Sequence, residues 1–98
     1  MPDRRRLTEA EVTAKLADVP GWTLANGRLH RELTFGSFVE AFGFMTRLAL
    51  IAEKQDHHPD WSNSYNNVII RLRTHDQNAV TDLDVMLAKK ISAFCIHP

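Results

Sequence analysis

Ninety-eight residues, in which 12 Lys plus Arg balance 12 Asp plus Glu, describe a small globular chain with no formal net charge. The missing positive excess argues against nucleic acid or an anionic membrane as the main partner, since both reward it. Cys95 is the only cysteine, which excludes an intrachain disulfide and a zinc finger.

A chain of this size buries only about two-thirds of the surface its unfolded form exposes. One compact core is the ceiling, and association with copies of itself is a natural way to bury more. The start, Met1-Pro2-Asp3-Arg4, lacks the apolar core of a secretory signal. No stretch approaches the roughly 20 apolar residues of a membrane span. A cytoplasmic location and one domain over residues 1–98 are the default expectations. Arg4-Arg5-Arg6 reads as a solvated, frayed end, and Cys95, in an apolar helical stretch, as a packed, inert thiol.

The first helix is expected from about Thr8 to Asp18, because Thr8 and Glu11 have capping-box spacing and Leu7 can staple against Val12. Pro20-Gly21 then ends it. Trp22–Leu24 and Arg28–Phe35 read as a hairpin around Asn26-Gly27. Leu29, Leu33 and Phe35 fall on one face of the second strand, with His30, Glu32 and Thr34 on the other.

Ser37 caps a long second helix reaching about Lys54, in which Phe38, Phe42, Met45, Ala49 and Ala52 form the expected core-facing stripe. Val39, Phe44, Leu50 and Ile51 widen the apolar arc well beyond one face, leaving Glu40, Arg47 and Lys54 as the clear polar stripe. A helix that apolar packs on two sides, and the second side suits another subunit.

Pro59 stops the helical pattern after His57-His58. Trp61–Tyr65 and Val68–Arg73 suggest a second hairpin across Asn66-Asn67, with Val68, Ile70 and Leu72 sharing one face. A last helix runs from Thr81 to about Phe94, burying Leu83, Met86, Leu87, Ile91 and Phe94. The order α-β-β-α-β-β-α predicts an α+β fold: a four-stranded antiparallel sheet with helices packed on one face.

Histidine exchanges protons near neutral pH, so His57, His58 and His75 are the first candidates for chemistry. They could equally be surface or hydrogen-bonded structural residues, and periodicity does not bring them together. Zinc is a rival reading, but adjacent histidines on a helix diverge and no His-Glu-x-x-His arrangement occurs. His97 reads as a solvated residue. Asp84 lies three residues after Thr81, where a carboxylate meets the helix dipole. Glu53 is either an ordinary exposed helix residue or the orienter of an imidazole. Trp61 is either core or the wall of a site for a flat heterocycle. No Ser-centred elbow, phosphate-binding Gly loop or base-paired Cys nucleophile competes.

The string Glu53-Lys54-Gln55-Asp56-His57-His58-Pro59-Asp60-Trp61, followed by Tyr65-Asn66, Val68, Leu72, Thr74-His75 and Asp84, resembles the pterin-4a-carbinolamine dehydratase family. Gly21-Trp22, Asn26-Gly27 and the Phe-rich second helix extend the resemblance over nearly the whole chain. Ala79-Val80 departs from it, since members commonly show Gly-Leu there.

The resemblance implies the same fold, with sheets pairing and helices bundling into homodimers or homotetramers. It implies dehydration of a 4a-hydroxytetrahydropterin to the quinonoid dihydropterin, downstream of an aromatic amino acid hydroxylase, with no cofactor. His57, His58 and His75 would be the acid–base set, with His58 and His75 favoured for the proton transfers. Glu53 and Asp84 would orient an imidazole or anchor a pterin nitrogen, and Pro59, Trp61 and Thr74 would complete the substrate site. Related proteins also serve as dimerisation cofactors of a transcription factor or as assembly factors, which is the alternative reading. A dehydratase acting in other pterin metabolism is a second.

Overall fold

A computed structural model describes residues 5–94. Arg4, the side chain of Phe94, Cys95 and His97, each given a role above, lie outside the described residues.

Helix α1 (Glu9–Lys15) starts with the reciprocal cap legible in the sequence. Glu11 N–H donates to Thr8 Oγ1 at 3.1 Å, and Thr8 N–H donates to Glu11 Oε1 at 2.8 Å. The Arg5 guanidinium also donates to both Glu11 oxygens. Hydrogen bonds from Arg5 first, then from the Thr8 backbone, hold the Glu11 carboxyl down from its ordinary 4.5 to about 2. Leu7 and Val12, on either side of the cap, are both buried in the core. The expected helix does not continue as α to Asp18. It tightens into a 3₁₀ turn at Leu16–Asp18, which turns Val19 into the core ahead of Pro20 and of Gly21 at φ 93°.

Strands β1 (Thr23–Ala25) and β2 (Arg28–Thr34) flank Asn26-Gly27, whose φ values of 53° and 74° define the type I′ turn expected of that dipeptide. Strands β3 (Asp60–Ser64) and β4 (Asn67–Leu72) form the second hairpin, and the antiparallel sheet runs β1-β2-β4-β3. Leu29, Val68, Ile70 and Leu72 are buried on the face covered by α2 (Phe38–Gln55) and α3 (Asp82–Phe94). Thr23, His30, Arg71 and Asp60 form a cross-strand row on the other face. This is the expected α+β fold, with the elements in the expected order.

The turn of the second hairpin sits elsewhere than expected. Ser64 pairs with Asn67, so the loop is Tyr65-Asn66, with Tyr65 at φ 53°. Asn66 is held by the residue that follows β2: its carbonyl accepts from Phe35 N–H at 2.8 Å, and its Nδ2 donates to Phe35 O at 2.7 Å. Asn63 Nδ2 donates to the carbonyls of Tyr65 and Asn67, closing the loop. A turn at Asn66-Asn67 would give up these bonds.

The buried stripe of α2 also differs. Ala41, Phe44, Leu48 and Ala52 face the core, whereas Phe38 and Phe42 are 47% and 56% exposed and Ala49 is exposed. The face is turned by somewhat less than the roughly 100° of one residue, so of the expected stripe Ala52 stays buried and Met45 still packs against the core. Phe44 decides it, because its ring meets that of Phe35 at 5.1 Å and fills the space over the sheet. On α3, Leu83, Leu87 and Ile91 are buried as expected and Met86 is half-buried, while Val85 and Ala88 complete the packed face. Among the described residues no helix is long and apolar enough to cross a membrane.

Phe44→Ala is expected to destabilise the chain by about 3–5 kcal/mol, read from denaturant midpoints. An unchanged midpoint would return the anchoring role to the Phe38–Phe42 stripe.

Candidate active site

The end of α2 separates the two adjacent histidines. Asp56 adopts the left-handed conformation at φ 56°, and its N–H donates to Glu53 O while His57 N–H donates to Ala52 O, both at 3.1 Å. These are the two bonds of a Schellman motif. The reversal turns His57 inward, leaving it 7% exposed, and sends the following residue His58 outward.

His57 Nε2 lies 2.6 Å from Asp84 Oδ1. Asp84 is fully buried in the first turn of α3, and its Oδ2 accepts from Thr81 N–H at 2.8 Å and from the Thr74 hydroxyl at 2.9 Å. Thr81 Oγ1 in turn accepts from Leu83 N–H at 3.2 Å. Asp84 is therefore both a helix cap, as its spacing suggests, and the partner of an imidazole. With Asp84 as the carboxylate, His57 Nε2 carries the shared proton, and Nδ1 is the ring nitrogen left for a ligand.

The other two pairs are exposed. His58 Nε2 is 2.9 Å from Glu53 Oε1, one helical turn back, so Glu53 is an exposed helix residue and an imidazole partner at once. His75 follows β4 in a loop closed by Thr74 N–H donating to Ala79 O at 2.8 Å. Its Nε2 is 3.2 Å from Asp60 Oδ2, at the start of β3. Each of the three histidines thus has its own carboxylate.

Asp56, His57, His58, Thr74, His75 and Asp76 line one open cavity of about 260 Å³. That is near the lower end of the roughly 300–1,000 Å³ of small-molecule sites. Asp84 stands behind His57, and Glu53 supports His58 from outside. Pro59 and Trp61 are not among the lining residues. Trp61 pairs with Ile70 in the sheet and packs against the core. Among the described residues no group of three His, Cys, Asp or Glu side chains is placed to hold a metal ion.

Sequence reading missed Asp60 as a partner for His75. The signal was the hairpin register: Asp60 pairs with Arg71, which brings the start of β3 beside the chain leaving β4. It also missed that Thr81 touches the Asp84 network through Thr74, at 2.6 Å between the two hydroxyl oxygens.

Fold and site together define an α+β protein whose helix end, hairpin and loop bring three histidine–carboxylate pairs to one polar cavity. The chain belongs to the pterin 4 alpha carbinolamine dehydratase family, whose model matches residues 5–94. It is 52% identical over 86 residues to a Prochlorococcus marinus protein (strain MIT 9303), covering 88% of this chain and 90% of that one. A Mesorhizobium japonicum protein is 50% identical over 93 residues, covering 93% and 95%. Both are provisionally named pterin-4-alpha-carbinolamine dehydratases. A crystal structure described as a transcriptional coactivator/pterin dehydratase from Brucella melitensis superposes with a TM-score of 0.86 at 47% identity, covering 91% of this chain and 97% of that one.

Burial separates the two supporting carboxylates experimentally. Asp84→Asn sets an amide donor among groups that need an acceptor, so a loss of about 1–3 kcal/mol is expected. Glu53→Gln, at a side chain 81% exposed, is expected to leave the unfolding midpoint unchanged. Equal effects of the two substitutions would refute the buried role of Asp84.

Proposed function

We propose that this chain, acting as one dehydratase domain, eliminates water from a 4a-hydroxytetrahydropterin to give the quinonoid dihydropterin. The observation that carries this reading is the set of three histidine–carboxylate pairs around one cavity, in a chain of this family. Elimination needs a proton delivered to the oxygen on C4a and a proton withdrawn from N5. The C4a–O bond breaks, water leaves, and the N5 lone pair closes the C4a–N5 double bond. Protons and electrons balance without a cofactor. The reaction that supplies the substrate is an aromatic ring hydroxylation that leaves a tetrahydropterin hydroxylated at C4a.

His58 and His75 take the proton transfers in this proposal. Their side chains are 53% and 54% exposed, so each can exchange protons with water between turnovers, and each has a carboxylate that orients its ring. General acid and general base each contribute a factor of about 100 to 10,000. His57 is the fixed member, holding the substrate through Nδ1 while Asp84 holds its other nitrogen.

The test is His58→Ala combined with His75→Ala, assayed on chemically generated 4a-hydroxytetrahydropterin. Acceleration is expected to disappear while circular dichroism and assembly are unchanged. Full activity in the folded double variant would remove both residues from the mechanism.

A second property rests on α2. Phe38, Val39, Phe42 and Leu50 are 47%, 78%, 56% and 68% exposed on this helix. We propose that this face packs against further copies of the chain in a homodimer or homotetramer. It is also the surface that a protein-binding role, such as the coactivator description of the Brucella protein, would use. Phe42→Glu is expected to lower the mass found by light scattering without changing the helix content. A wild-type chain that is already monomeric would contradict the proposal.

A further inference from the structure

The hydroxyls of the buried network around Asp84 each have a direction, and it is set from Leu83 N–H. Leu83 N–H can only donate, and it donates to Thr81 Oγ1 at 3.2 Å. The Thr74 hydroxyl donates to Asp84 Oδ2 at 2.9 Å, so its one proton is already used. The 2.6 Å contact between the two threonine oxygens must then be made by the Thr81 proton. The resulting chain runs from Leu83 N–H through Thr81 and Thr74 to Asp84, and His57 reaches the same carboxylate from the other side at 2.6 Å. Thr74, Thr81 and Asp84 are each no more than 1% exposed.

We propose that Thr81, which does not line the cavity, is a positioning residue of the site, fixing His57 as the Nε2–H tautomer by anchoring Thr74 and Asp84. Thr81 acts in two ways. Its hydroxyl closes the first turn of α3 through Leu83 N–H, and that turn carries Asp84. The same hydroxyl donates to Thr74, and chained hydrogen bonds of this kind strengthen one another. Without it, Thr74 loses the donor that fixes its rotamer, and of the bonds to Asp84 Oδ2 only that from Thr81 N–H remains fixed in place. The cap of a helix and the orientation of a cavity histidine then depend on one hydroxyl. This inference rests on the reading of His57 as the fixed member of the site, so its primary readout does not use the dehydration reaction.

The experiment is a long-range proton–nitrogen correlation spectrum of the ¹⁵N-labelled protein, comparing wild type with Thr81→Ser and Thr81→Val. Wild type and Thr81→Ser are expected to show His57 as a single Nε2–H tautomer. Thr81→Val, which keeps the shape and removes the hydroxyl, is expected to show mixed or exchange-broadened His57 signals. Its kcat is expected to fall on the order of 10- to 100-fold, as for a misplaced catalytic group, with KM changing less. A folded Thr81→Val with the wild-type His57 spectrum would reduce Thr81 to a helix cap and overturn the proposal. Should the valine variant fail to fold, the wild-type protein still decides. A slowly exchanging Thr81 hydroxyl proton beside an Nε2–H His57 is expected, and an Nδ1–H tautomer or a freely exchanging hydroxyl overturns it. Loss of dehydratase activity in wild type with the expected spectrum would instead count against the proposed reaction alone.

Discussion

A carboxylate withdrawn from water is costly unless donors surround it. Asp84 has none of its surface exposed and collects three, from Thr81 N–H, the Thr74 hydroxyl and His57 Nε2. Those donors come from the start of α3, the segment after β4 and the segment after α2. Satisfying one charge therefore ties three distant stretches of chain together. It also sets α3 against the sheet and delivers a histidine to the cavity wall. The positive end of the α3 dipole falls on the same carboxylate.

Around that buried centre the site divides by solvent access. His57 is held by a fully buried carboxylate, which suits orientation. His58 and His75 stand half in solvent against Glu53 and Asp60, which suits proton exchange. The same residue type thus serves different ends according to what lies behind it. Exposed ion pairs contribute little to stability, so Glu53 and Asp60 matter for what their histidines do rather than for holding the fold.

Much of this was legible in the sequence where a feature is local. Thr8 and Glu11 form their cap within one turn, and Asn26-Gly27 both adopt the positive φ that few other pairs accept. The alternation of Val68, Ile70 and Leu72 survived even though the loop before it was placed too late in the chain. The expected loop shifts the strand pairing by two residues, and a shift of two leaves every side chain on its own face. The buried stripe of α2 was not legible, because apolar residues on nearly every side leave the helical period with no single face to choose. Tertiary contacts, among them that with the Phe35 ring just past the end of β2, select Phe44 over Phe42. The histidines were visible as residues and as a motif, and Glu53 and Asp84 as carboxylates able to orient an imidazole, but which histidine each would meet was not, nor was Asp60. Asp60 reaches His75 through hairpin register, and the Thr81 hydroxyl, unlike the Thr81 N–H that bonds Asp84 directly, reaches it through Thr74. Both depend on contacts that spacing along the chain does not encode.

The most direct measurement is the spectrophotometric appearance of quinonoid dihydropterin from freshly generated 4a-hydroxytetrahydropterin, with and without the wild-type protein. Acceleration over the spontaneous reaction, unchanged by a metal chelator, is the result that His58 and His75 as proton donor and acceptor, with His57 holding the substrate, require. No acceleration by a well-folded sample would contradict the account, leaving the histidine cavity as an inherited scaffold and the exposed face of α2 as the surface that carries the function.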